Sequence, residues 1–140
     1  MKRRESKKLS AKLDRAARTG DTRTATALLR SGADGTAALY TASVQDEAEA
    51  VRVLLTAGAD PDVENTGVGA DGTPLCAAAC WGHTDVVREL LAHGADPGLR
   101  EEQGSGRTPL EWALAGPYPE TVALLRAALE PSVPLDAQRR

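Results

Sequence analysis

With 140 residues, a net charge of −3 and no apolar run long enough to cross a bilayer, the chain is sized for a single water-soluble domain. An aromatic share of 3%, with no Phe, excludes a core built on large rings and leaves Ala, Leu and Val, which suit closely approaching helices. Two cysteines cannot staple a secreted fold, and the opening MKRRESKKLSAKL lacks the apolar stretch of a signal peptide, so a reducing, cytoplasmic setting is expected.

In chain order, residues 1–12 come first, with six cations (Lys2, Arg3, Arg4, Lys7, Lys8, Lys12) against Glu5. They read as a disordered basic tail, either a solvated terminus or a tether to nucleic acid or a membrane surface. From Leu13 onward one pattern recurs. Leu13, Ala16 and Ala17 mark the apolar face of a short helix, Gly20 breaks it, and a second helix carries Leu28-Leu29 to Gly32-Ala33-Asp34. The second unit repeats this with Leu39, then Asp46 where a glycine would be expected, then Leu54-Leu55 and Gly58-Ala59-Asp60. Asp tolerates the left-handed conformation such a turn requires. In the third unit Thr73-Pro74-Leu75 opens the first helix as cap, first position and core residue, Gly82 ends it, and Leu90-Leu91 leads to Gly94-Ala95-Asp96. The fourth begins at Thr108-Pro109-Leu110-Glu111, a capping box, and turns at Gly116-Pro117-Tyr118-Pro119. Leu13 and Leu28, Leu39 and Leu54, Leu75 and Leu90, and Leu110 and Leu125 are each fifteen residues apart.

A period of this kind signals a solenoid, and its residues resemble the ankyrin repeat family, with 73–97 (TPLCAAACWGHTDVVRELLAHGADP) following that pattern nearly throughout. The resemblance implies an all-α ankyrin-repeat solenoid of stacked antiparallel helix pairs joined by short β-hairpin loops. Units are expected at about 13–35, 36–71, 72–106 and 107–130, the outer two as caps, with 131–140 a C-terminal tail.

Two stretches resemble chemistry. Cys76-x3-Cys80-x2-His83 offers three ligands where a structural zinc takes four, and His83 stands at the family's usual Gly-His position. Gly67-Val-Gly-Ala-Asp-Gly72 matches a dinucleotide fingerprint but follows the polar PDVENT and precedes a repeat helix, so it reads as an enlarged hairpin. No catalytic pair emerges, and no metal or cofactor is expected.

Function is therefore expected in binding. The resemblance places it on the concave face, at the ends of the first helices and the hairpin tips. The variable pairs there are Arg18/Thr19, Val44/Gln45, Cys80/Trp81 and Ala115/Gly116. Candidate partner-binding residues are Val44, Gln45, Glu64, Asp71, Cys80, Trp81, Arg100 and Arg107, with Trp81 either the apolar anchor or packed under the hairpins. Acids outnumber Arg52 between 31 and 71 (Asp34, Asp46, Glu47, Glu49, Asp60, Asp62, Glu64, Asp71), which favours a basic partner protein over nucleic acid as the main ligand. A monomeric interaction module without catalysis is expected. A regulatory subunit or inhibitor of a partner enzyme, or tethering through the basic tail, is the alternative.

Overall fold

The computed structural model describes residues 3–65 and 72–130. Among them the chain forms nine helices: α1 (Arg3–Thr19), α2 (Thr22–Arg30), α3 (Thr36–Val44), α4 (Ala48–Thr56), α5 (Pro74–Trp81), α6 (Thr84–Ala92), α7 (Glu101–Gly104), α8 (Pro109–Leu114) and α9 (Pro119–Leu129). Apart from the single turn α7, these are four antiparallel pairs. First helices pack in the order α1, α3, α5, α8 and second helices in the order α2, α4, α6, α9. The arrangement is an all-α repeat solenoid. Among the described residues no helix is long and apolar enough to cross a membrane.

Local chemistry accounts for each boundary. The Thr73 hydroxyl accepts from the Cys76 N–H at 3.2 Å and starts α5 with Pro74 at its first position; Thr108 does the same for α8 through the Glu111 N–H, also at 3.2 Å. Asp46 takes the left-handed conformation at φ 60°, the role Gly82 fills at φ 69° in the next unit. After α2, α4 and α6 the amides of Ala33, Ala59 and Ala95 reach back to Leu28, Leu54 and Leu90 at 3.0–3.1 Å, which needs the positive-φ glycine between them. The aspartates that follow serve the turn. Asp34, Asp60 and Asp96 accept from the amides two residues on, and Asp62 accepts from the Asp96 amide at 2.9 Å, joining successive loops.

The core is one continuous stripe. Leu13, Leu39, Leu75, Leu54, Leu90 and Leu125 are fully buried, with Ala16, Ala17, Ala38, Ala42, Ala78, Ala79 and Ala113 between them. Alanine there lets neighbouring first helices approach closely, and each buried leucine contributes about 2 kcal/mol of transfer free energy.

Two expectations need correction. Residues 3–12 are not a tail but the first turns of α1. Lys, Arg, Glu, Ala and Leu all favour helix, and Leu9, one turn before Leu13, rests against the core and draws the segment into register. The loops are also less strand-like than expected. Among the described residues the only β pairing is the isolated Asn65–Gly72 bridge, with N–O distances of 2.7 and 3.1 Å, which closes the neck of the long second loop. The third loop winds into α7 instead, closed by Glu101 N to Arg107 O at 3.1 Å.

Candidate functional site

The first helices leave one side open, and across α1, α3 and α5 it forms a groove of about 490 Å³. Arg18 contributes from the last turn of α1, Val44 and Gln45 from the end of α3, and Trp81 from the last position of α5. These are ends of helices because the chain turns immediately after them, at Gly20, Asp46 and Gly82. The turns therefore set the same end of each first helix along one rim.

Specific bonds hold the rim in place. His83 Nε2 donates to the Val44 carbonyl at 3.1 Å, and its Nδ1 lies 3.7 Å from Asp46 Oδ2, so the end of α3 is locked to the start of α6. At the other end of the groove Asp14 accepts from the Thr41 hydroxyl and pairs with Arg18 at 3.1 Å, tying α1 to α3. Over this braced floor Trp81 is 60% exposed. Of its two expected fates, packing under the hairpins is overturned: the ring lies open beside the groove.

The groove also contains residues that sequence reasoning missed: Asp14, Ala37, Tyr40, Thr41 and Asn65. A signal existed for four of them. Ala37, Tyr40 and Thr41 precede Val44 by seven, four and three residues, so helical spacing puts all four on one face of α3. Asp14 stands in the same relation to Arg18. Asn65 could be found only from the fold, because its approach depends on the closure of the second loop.

Other predicted residues lie elsewhere. Cys80 is half-buried next to Trp81 but does not line the groove, and burial raises its thiol pKa. Glu64 is half-buried at the neck of the second loop, and Asp71 falls outside the described residues, as does most of the glycine motif at 67–72. Arg100 and Arg107 belong to a separate cluster around α7 and α8. Arg100 donates to Glu111 at 3.0 Å and to the Gly106 carbonyl at 3.1 Å, whereas the Arg107 guanidinium sits 4.9 Å from the centre of the Trp112 ring. Trp112 Nε1 donates to Glu101 at 2.8 Å, and the Cys76 thiol faces the Arg107 carbonyl at 3.7 Å. Burial raises the Glu101 carboxyl, partly offset by the Trp112 bond, and pushes the Cys76 thiol up to about 12. This cluster holds the third loop against α8 and does not reach the groove. Among the described residues no group of three or more His, Cys, Asp or Glu is placed to hold a metal ion.

Comparison with known proteins agrees with this architecture. A family model described as ankyrin repeats, in three copies, matches residues 41–133. Protein PhlB of Serratia liquefaciens is 43% identical over 82 residues, 59% of this chain and 34% of that protein. Ankyrin repeat and SOCS box protein 16 of Mus musculus is 40% identical over 104 residues, 72% of this chain and 20% of that protein. Palmitoyltransferase AKR1 of Lachancea kluyveri is 39% identical over 66 residues but only 9% of its length is covered. The chain thus spans about a third or less of each relative. Its helix pairs, their capping signals and the match to the repeat model agree: this chain belongs to the ankyrin repeat family.

Proposed function

We propose that the chain binds a partner protein through the first-helix groove, without catalysis of its own. The observation that carries this reading is Trp81, a large apolar ring left 60% exposed at the rim of a groove whose helices are tied together by the Thr41–Asp14 and His83–Val44 bonds. Leaving such a ring in water is unfavourable, and burying it against a partner recovers that loss at little entropic cost because the rim does not have to reorganise. Val44 and Ala37 extend the apolar strip, while Gln45, Tyr40 and Asn65 supply polar groups for orientation. Asp46 and Glu47 follow directly on Gln45, with Glu49 just beyond. The partner segment therefore carries an apolar side chain for Trp81 with basic residues beside it.

The test compares wild type with Trp81→Ala. Because the ring is mostly exposed, the variant should keep its helix content and unfolding midpoint. Partners captured by wild type and then purified should bind the variant about thirtyfold more weakly, as loss of a hot-spot aromatic of about 2 kcal/mol implies. Undiminished affinity for every such partner would move the site away from this groove.

A further inference from the structure

We propose that the solvent-facing half of α1 is a docking surface for the phosphate backbone of double-stranded DNA. Seven cations project from this helix: Arg3, Arg4, Lys7, Lys8, Lys12, Arg15 and Arg18, all exposed. Stepping about 100° per residue, they share roughly one half of the circumference, whereas Leu9, Leu13, Ala16 and Ala17 fill the opposite half and pack into the core. Arg18 pairs with Asp14 at 3.1 Å; among the described residues the other six make no ion pair. The helix has 17 residues against nine in its neighbour α3, roughly 25 Å against 14 Å, so its basic first half extends beyond the stack.

Chemistry and shape choose the ligand. Apart from Ala11, the exposed half of α1 offers no apolar residue and no aromatic ring, so whatever binds there is recognised by charge. A helix that lies in a membrane interface needs a free apolar face, and that of α1 is already committed to Leu39, Ala42 and the rest of the core. A flat anionic surface would also meet only the middle of so wide an arc. A duplex groove about 12 Å wide instead flanks a helix of 10–12 Å diameter with a phosphate row on each side. Arg3 and Lys7 then face one row, and Lys8, Lys12 and Arg15 the other. With no side chain suited to reading base edges beyond these cations, binding is expected to be independent of sequence and steeply salt-dependent. Apart from Arg18, which also lines the groove, these cations lie away from the Trp81 rim.

The experiment uses the full chain and a fluorescently labelled DNA duplex of about 20 base pairs, followed by anisotropy from about 50 to 200 mM salt. Engagement of four to five phosphates predicts a slope of log K against log salt of about −4. Substituting one flank (Lys8→Gln, Lys12→Gln, Arg15→Gln) should reduce the slope by about 3, and the other (Arg3→Gln, Lys7→Gln) by about 2, with unchanged circular dichroism. Trp81→Ala should bind the duplex like wild type, which separates this surface from the groove. Cosedimentation with phosphatidylserine vesicles runs in parallel. The inference is overturned by no duplex binding at 50 mM salt, by flank variants that bind like wild type, or by vesicle binding that exceeds duplex binding.

Discussion

Cys76 and Cys80 lie one helical turn apart yet meet different surroundings. Cys76 is fully buried behind Thr73 and Arg107, with its thiol pushed up to about 12, while Cys80 is half-buried, its thiol also raised by burial. Since only the thiolate reacts with alkylating agents, Cys76 in the folded chain has almost none at pH 8. Iodoacetamide at that pH should label Cys80 slowly and Cys76 only after denaturant is added; peptide mass spectrometry reads the two sites separately. Labelling of both at equal rates in the native protein would show that the α5–α8 packing opens easily. The sequence placed both cysteines on one short helix, but the Arg107 backbone that faces the Cys76 thiol lies thirty-one residues away.

At the scale of the element, a first helix is defined by its two ends. The threonine cap, the proline and the turn residue are all local features, which is why α5 and α8 were legible in advance. The turn after α5 adds a constraint from a distant segment. Gly82 has φ 69°, and a Cβ placed there would run into the Tyr118 ring from the turn between α8 and α9. Gly94, at φ 89°, has nothing within 4 Å of the same position. Gly82→Ala should therefore cost more than Gly94→Ala: about 3 kcal/mol against about 1 kcal/mol, the smaller value being backbone strain alone. Urea unfolding midpoints of the two variants test this, and equal losses would show that the Tyr118 turn yields without cost. Asp46 holds the equivalent turn of the second unit at φ 60°, so that position does not demand glycine for its backbone alone.

For the whole molecule, stability passes from each unit to its neighbours, since each helix pair buries its apolar face only against the next. Leu90 is fully buried in α6, which packs on α4, α5 and α9. Leu90→Pro removes a backbone donor and a core side chain together, a loss of at least about 3 kcal/mol. The slab should lose helix as one unit, with circular dichroism and the fluorescence of Trp112 in the following unit falling at the same denaturant concentration. A retained midpoint would contradict the stacked architecture. Sequence alone determined the repeat phase, the helix pairs and their caps, because these rest on neighbours within four or five residues and on a fifteen-residue leucine spacing. It also indicated the rim positions of Val44, Gln45 and Trp81. Only the tertiary structure decided that Trp81 stays open, that Arg100 and Arg107 are engaged around Glu111 and Trp112, and that the basic opening segment continues as α1. Those outcomes depend on which distant surfaces meet, and the period of a sequence carries no record of that.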